Sequence, residues 1–428
     1  MRTLALTLAL WTGCVSSDPR DEAVDYVATS AVAVGGDVVV AIERRVAFQP
    51  TEIDLTRVHD GVASPLSPAL RGDAATRDAD QAQLAAIDDR LYLSFYSDRG
   101  FHGAPLGADD AVDPATIIDL GFTPAVSRIG DRFAAVSFPD HGFSIFLPVD
   151  TFHATFVTRD GHRDGDLDVA RLATPLGTEG LPPRIAGNAR MLALPYLVNT
   201  FTGLDLYVAR VDATGALLDA ALPIVVTDGH SESGDARLTV TGDGGVVVVY
   251  ELVTDGKASL HATRIEPGAA AAKTDQVIDL AREPSFLIAS GDRILAVSAP
   301  VKPGEIDPTF ETFDAQILDD HGRPLGGPVT VTTGDRSALV IATATGFAVV
   351  HSGGSLDTTL TPLDRDGTPG DSVTLATDHP QPLPKADPGG CSSGGSAGSG
   401  LLVFMLVIGW RARSARRTDR RIASTCSS

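Results

Sequence analysis

Four closely spaced aspartates are the residues of this chain best suited to binding a metal ion. Carboxylates two residues apart match the oxygen coordination that Ca²⁺ prefers. A standard calcium-binding loop also needs a glycine and a bidentate glutamate at fixed later positions, and Glu179 lies too far along to serve. The spacing therefore predicts either a calcium site, with no other cofactor indicated, or a solvated hairpin turn. The candidate ligands, within RDGHRDGDLD, are Asp160, Asp164, Asp166 and Asp168.

A serine nucleophile is the second chemistry to consider. The stretch Gly229–Ser233, GHSES, approaches the Gly-x-Ser-x-Gly turn in which many hydrolases hold their serine. It lacks the second glycine, and it falls between two predicted strands, whereas that turn joins a strand to a helix. We therefore interpret it as an exposed loop and assign no catalytic residue there.

The ten histidines are scattered and form no His-Glu-x-x-His motif. His141 and His153 flank Phe143–Phe152, which belongs to an unusually long insertion, so a metal pair and a solvated loop are the two interpretations. The sequence contains no phosphate-binding loop, no dinucleotide-binding glycine pattern and no basic stripe for nucleic acid.

The elements that carry these residues are marked by a recurring turn, in which an acidic residue shortly precedes a glycine. Glycine supplies the positive φ of a tight turn, and aspartate accepts hydrogen bonds from the backbone just ahead of it. The turn glycines are separated by 45 to 54 residues, which is too regular for chance. They are Gly61, Gly107 (the weakest member), Gly161, Gly215, Gly268, Gly322 and Gly367.

Short strands recur at the same period. A Gly or Asp pair such as Gly36-Asp37 opens an apolar strand, an alternating strand such as Asp205–Val211 precedes the turn, and a closing strand such as Ile224–Val226 follows it. Each unit offers about four strands, with no convincing helical periodicity. Four-stranded units of 40–55 residues are the signature of a β-propeller.

We therefore predict an all-β chain whose residues 28–378 form a propeller, with seven blades favoured over six or eight, followed by a short C-terminal apolar helix. An open solenoid is the alternative fold. Asp25–Ala33 is expected to add a strand to the last blade and so lock the ring. The lines LYVARVDATGALLDAALPIVVTDG and FDAQILDDHGRPLGGPVTVTTGD resemble the loose propeller repeats of predicted surface proteins in myxobacteria and their relatives. That resemblance concerns architecture and implies no chemistry.

The N-terminus has a short basic start and an apolar run, Leu4–Leu10, followed by Trp-Thr-Gly-Cys. This order is typical of a secretory signal. The last four residues resemble the lipobox of bacterial lipoproteins, in which the cysteine becomes the first mature residue and carries lipid. The resemblance implies a signal peptide over 1–13, lipidation of Cys14 by the lipoprotein-processing machinery, and a linker over 14–27. Ordinary signal cleavage and a misassigned start codon are the alternatives.

The C-terminus combines a Pro/Gly/Ser-rich linker (379–400), an apolar segment (401–410, extended by small residues from Ala397) and an arginine-rich tail (411–428) that is expected in the cytoplasm. The apolar stretch is shorter than the ~20 residues of a membrane-spanning helix. This organisation resembles the MYXO-CTERM and GlyGly-CTERM sorting signals of Gram-negative bacteria, near whose Gly/Cys motif a membrane protease cuts. The resemblance implies processing at Gly389, Gly390 and Cys391, and retention as a plain membrane anchor is the alternative. Cys426 has no assigned role.

Charge agrees with an exported body. The chain has 34 basic and 55 acidic residues, and without residues 1–13 and 392–428 it retains 27 and 54, a net charge of −27. Such a body is expected to be soluble and to repel nucleic acid and anionic lipid.

These observations predict an exported propeller at the outer membrane or cell surface of a Gram-negative bacterium, held there by a lipid or a membrane segment. It would present inter-blade loops to a protein or glycan and perform no catalysis. Two alternatives stay open: an extracellular hydrolase or lyase whose residues converge at the central channel, and a structural surface spacer.

Overall fold

The recurring turns separate seven antiparallel sheets, each built from consecutive strands of the chain. In this computed structural model the sheets form the blades of a seven-bladed β-propeller, which confirms the predicted fold class and blade count. The structure describes residues 24–46, 50–70, 79–97, 100–121, 124–137, 150–173, 184–200, 203–219, 224–225, 232–254, 257–269, 276–277, 286–298, 312–333, 335–353 and 357–377.

The first three blades follow one another along the chain, and the first carries an additional short strand paired with its third. A 3₁₀ turn, Pro114–Thr116, lies before the outermost strand of the second blade. The strands are β1 (Val24–Val34), β2 (Asp37–Val46), β3 (Glu52–His59), β4 (Val62–Ala63) and β5 (Ser67–Pro68); β6 (Asp80–Ile87), β7 (Arg90–Ser97), β8 (Gly100–Pro105) and β9 (Ile118–Gly121); β10 (Pro124–Ile129), β11 (Arg132–Ser137), β12 (Asp150–Val157) and β13 (Arg163–Ala173).

The remaining four blades repeat the same meander, in which the strand order along the chain is also the order within the sheet. Their strands are β14 (Ala186–Gly187), β15 (Met191–Thr200), β16 (Gly203–Asp212) and β17 (Ile224–Val225); β18 (Glu232–Val240), β19 (Val246–Thr254), β20 (Lys257–Ile265) and β21 (Gln276–Val277); β22 (Phe286–Ser290), β23 (Arg293–Ser298), β24 (Thr312–Asp319) and β25 (Val329–Thr333); β26 (Asp335–Ala342), β27 (Gly346–Gly353), β28 (Asp357–Asp364) and β29 (Val373–Thr377).

The second strand of a blade is buried on both faces, which explains its unbroken apolar sequence. In β2, Val39 and Ala41 pack in a cluster with residues of the second blade. Val40 and Ile42, on the opposite face of the same strand, pack in a cluster with residues of the seventh blade. Because side chains alternate between faces, one strand joins two inter-blade cores.

Six of the seven predicted turn glycines have positive φ, between 71° and 87°. In the fourth blade the Asp212 carboxylate accepts hydrogen bonds from the amides of Thr214 (2.8 Å) and Ala216 (3.0 Å). Gly107 is the exception, because Asp110 takes the left-handed conformation of that turn with φ 57°. The glycine thus plays its predicted part in six turns, and the aspartate accepts backbone hydrogen bonds in the fourth, sixth and seventh blades.

The structure corrects one prediction, which is that a strand from the N-terminus locks the last blade. Asp25–Ala33 belongs to β1, which pairs with β2 from Val24↔Val46 to Val34↔Asp37 and is not part of the last blade. The propeller thus includes residues 24–27, which we had assigned to the linker. Pairing through a two-residue turn closes a far shorter loop than pairing with the last blade, and its entropic cost is correspondingly smaller.

The ring closes through packing and hydrogen bonds between the first and seventh blades. The Ala28 amide donates to Ser352 Oγ (3.0 Å), and Thr358 Oγ1 donates to the Tyr26 carbonyl (3.2 Å). Around them, apolar residues of the two blades form one buried cluster. We call this junction the closing seam.

Candidate binding cleft

Two sets of turns meet at one end of the ring. One set joins the first and second strands of each blade, and the other joins the third and fourth. His59 Nδ1 lies 2.6 Å from Asp37 Oδ1, which links the two sets in the first blade. Hydrogen bonds to Asp37 raise the pKa of His59, followed in effect by the charge of Asp60. We call this end of the ring the turn face.

A cleft of about 530 Å³ opens on the turn face between the third and fourth blades. The third blade contributes side chains from both of its turns, and the fourth contributes Ala213 and Thr214 from its acidic turn. The charged residues of the third blade around the cleft are Asp131, Arg132, Arg159, Asp160 and Asp164.

Arg132 forms the floor between the two blades. Its guanidinium donates to Asp164 Oδ2 (3.0 Å) and to the Ala213 carbonyl of the next blade (3.1 Å). The same group lies 4.8 Å from the centroid of the Phe156 ring, which is cation–π geometry. These three contacts together hold the Arg132 guanidinium between the two blades.

Arg159 is engaged on the other side of the cleft. Its guanidinium reaches the second blade, where it lies 3.2 Å from Asp89 Oδ1 and 3.5 Å from Asp88 Oδ2. The neighbouring glycine, Gly161, permits this approach, because a Cβ there would lie 2.5 Å from Pro105 Cδ and its φ is 87°. The turn that carries Arg159 is therefore held against the second blade.

Two carboxylates of the cleft have no bonding partner within the described part of the chain. Within the described part of the chain, neither the Asp131 nor the Asp160 side chain has a hydrogen bond or an ion pair, and both are exposed. Both arginines, by contrast, are already bonded to carboxylates. The groups that the cleft offers to a ligand are therefore chiefly acceptors, which suit the hydroxyl, ammonium or guanidinium donors of a ligand.

Thr214 is oriented by its own turn. Its hydroxyl donates to Asp212 Oδ1 at 2.6 Å. This bond, with the amide of Ala216 next in effect, lowers the pKa of Asp212. The lip of the cleft on the fourth blade is thus fixed by an ionised carboxylate at neutral pH.

The four predicted calcium ligands are not gathered at one point. Asp160 and Asp164 line the cleft, whereas the other two lie further along β13. Asp166 accepts from Arg163 Nη2 (2.6 Å), and the Asp168 carboxylate lies 2.8 Å from His153 Nδ1. Among the described residues no group of three or more His, Cys, Asp or Glu side chains is arranged to hold a metal ion.

Several predicted residues lie outside the described ranges. They include the lipidation site, the sorting motif, one histidine of the suggested metal pair and the serine of the hydrolase-like stretch. No helix within the described ranges is long and apolar enough to cross a membrane. These residues are Cys14, Gly389, Gly390, Cys391, His141 and Ser231, with the apolar segment 401–410.

Sequence reasoning missed the arginines that cross between blades. Arg210 pairs with Asp219 through two bonds of 2.9 and 2.8 Å and donates to the Ala269 carbonyl of the next blade at 2.6 Å. Arg264 occupies the matching position in the fifth blade and bonds the sixth at the Asp320 carbonyl. The signal was present in the repeat, since arginine followed by Val or Ile precedes the turn in LTRVHDG, VARVDATG and ATRIEPG.

No protein-family model matches the chain, and no curated protein is significantly similar to it in sequence. Among solved structures it is similar to a prolyl endopeptidase (16% identity, TM-score 0.51, 84% of this chain and 50% of that one). It is also similar to a puromycin-hydrolyzing peptidase of Mycobacterium tuberculosis (12%, TM-score 0.51, 86% and 55%). A third is polysaccharide lyase Uly1 (10%, TM-score 0.47, 82% and 90%). The chain spans about half the length of the two peptidases, and these likenesses show the fold alone.

Proposed function

We propose that this chain is an exported, surface-attached propeller that binds a protein or glycan partner at the cleft between its third and fourth blades. The observation that carries the proposal is the pair of carboxylates without a protein partner, Asp131 and Asp160, beside the bonded guanidinium of Arg132. The ring fixes the relative positions of turns that are more than 50 residues apart in sequence. Such a surface recognises a ligand without having to order itself first.

Export and attachment are supported by the ends of the sequence. The apolar start before Cys14 and the Gly/Cys motif before the apolar segment 401–410 are the expected signals. The strongly acidic body agrees with this proposal, because its negative charge would keep it soluble and away from anionic lipid. Mass spectrometry of both termini of the protein from its native host tests this part. A lipid on Cys14 with a chain ending near Cys391 is the expected result, and an unmodified chain through Ser428 would refute proteolytic sorting.

Binding is tested with a charge-matched pair of double variants of the full chain on printed arrays of glycans and peptides. Asp131→Asn with Asp160→Asn removes the unused carboxylates of the cleft. Asp60→Asn with Asp366→Asn removes two exposed turn-face carboxylates from the first and seventh blades. We expect the cleft variant to lose at least tenfold in affinity for the array ligand and the control to keep it. Equal loss in both variants, or no array ligand at all, would contradict the proposal.

A further inference from the structure

The chain enters and leaves the ring at the end opposite the turn face. β1 begins at Val24, which pairs with Val46 at the end of β2 that is distant from the turn at Gly35. β29 ends at Thr377, which pairs with Asp357 at the start of β28, distant from the turn at Gly367. In a four-stranded antiparallel meander, the start of the first strand and the end of the fourth strand lie at the same end of the sheet. The starts and ends of the strands here follow that rule.

The points of entry and exit are also neighbours around the ring. Thr358 Oγ1 donates to the Tyr26 carbonyl across the closing seam. The same threonine pairs with Ala376 in β29. Thr358 therefore connects the first strand of the ring with the last.

From this placement we infer that the propeller stands on its attachment end, so that the turn face with its cleft points away from the membrane and meets a partner that carries basic side chains. The inference rests on the surface attachment proposed above. A lipid on Cys14 and the C-terminal segment favour the same orientation, because both ends leave the ring on the same side. It also assigns the role of presented surface to the turns within blades, where the sequence alone had favoured the loops between blades.

The length of the N-terminal connection limits other orientations. Ten residues separate Cys14 from Val24 in numbering, and they reach at most ~35 Å when fully extended. A ten-residue strand such as β2 is about 33 Å long, so the fully extended connection is about as long as the ring is deep. A ring turned over to bring its turn face to the membrane would need this connection almost fully extended along its whole depth, which disfavours that orientation.

The charge on the turn face selects the partner. Asp131 and Asp160 have no cation of their own in the described part of the chain, and both line the cleft. An anionic surface attracts cations and speeds their encounter, whereas it repels phosphate and sulfate groups. Lysine and arginine side chains of a partner protein fit both the free carboxylates and the polar lip at Thr214.

The orientation is tested by inserting the same short epitope at two positions of the first blade in the full chain. One insertion follows Asp60 on the turn face, and the other follows Pro50, an exposed residue at the attachment end. Antibody fragments are applied to intact cells and to permeabilised cells, and thermal melting confirms that both variants fold. We expect the Asp60 site to be labelled on intact cells at least fivefold more than the Pro50 site, and equal labelling after permeabilisation. Equal or reversed labelling on intact cells overturns the orientation while leaving surface attachment standing. Labelling of neither site before permeabilisation overturns both.

The partner chemistry is tested with fluorescent oligolysine and oligoglutamate peptides at physiological salt. The unmodified protein is expected to bind oligolysine, and the cleft double variant at Asp131 and Asp160 to weaken it at least fivefold. The double variant at Asp60 and Asp366, which has the same net charge, should weaken it less than twofold. Equal weakening by the two variants, or no binding of oligolysine, overturns the assignment of a basic partner.

Discussion

The junction between the fourth and fifth blades and the closing seam hold neighbouring blades by different means. The first buries an ion pair, Arg210 with Asp219, whose side chains are 3% and 6% exposed, and adds guanidinium bonds to two carbonyls of the next blade. The seam has an apolar cluster and neutral bonds between side chains and the backbone. Removing one partner of a buried ion pair is expected to lower the free energy of unfolding strongly. Removing one neutral hydrogen bond from the closing seam is expected to lower it less.

The largest effect is expected from breaking the buried pair. Arg210→Met leaves the Asp219 carboxylate buried without its cation, which should lower the free energy of unfolding by about 3–5 kcal/mol. Arg163→Ala, which removes the exposed pair with Asp166, should cost less than about 1 kcal/mol. Chemical denaturation of both variants measures the difference. Similar costs for the two would show that Arg210 does not act as a buried charge.

Removing both charges sharpens the comparison. Arg210→Met combined with Asp219→Leu should recover part of the loss, because no unpaired charge is then buried. The carbonyls of Glu266 and Ala269 still lose their donor, so a residual cost of about 1–3 kcal/mol is expected. A double-mutant cycle by denaturation gives the coupling energy. Additive losses would mean that the pair contributes nothing as a pair.

The seam is tested by removing one hydroxyl. Ser352→Ala leaves the Ala28 amide without its acceptor and should cost about 1–3 kcal/mol. Thr239→Val makes the same change between the fifth and sixth blades, where the hydroxyl accepts from the Ala289 amide at 3.0 Å. Similar falls in the free energy of unfolding are expected. Hydrogen exchange should speed up in β1 only for the seam variant, and unchanged exchange there would show that another contact closes the ring.

The blades could be predicted from the sequence because their turns depend on local chemistry. A glycine with positive φ and an aspartate that bonds the backbone ahead of it stabilise a tight turn locally, so Asp212 and Gly215 can be recognised without a structure. The seam could not, since the alternating apolar residues of β1 suit a neighbour in the first blade or in the last. The cleft could not either. Arg132 and Ala213 are 81 residues apart, and only the angle between blades brings them together.

The smallest effect is expected from changing the acidic turn of the fourth blade, a type of turn that the seventh blade also contains. Asp212 has a lowered pKa in the folded protein, so its ionised form stabilises the fold above the ordinary pKa of about 3.9, and that contribution is lost as the pH falls through the lower folded value. Asp212→Asn should therefore destabilise the protein slightly at pH 7, and by less as the pH falls below the ordinary aspartate pKa. Thermal melting across this range measures the difference between the two proteins. A gap that widens as the pH falls would contradict the assigned bonds.

Among the described strands, every blade of this ring is built from consecutive strands of the chain, and none borrows a strand from the far end. Duplication of a gene segment coding for about 54 residues, the commonest spacing of the turn glycines, would therefore add a complete blade and leave the pairing within all the others intact. A ring locked by a shared strand would have to preserve both termini through each such event. In this architecture, the number of blades could therefore change through duplication of a single segment.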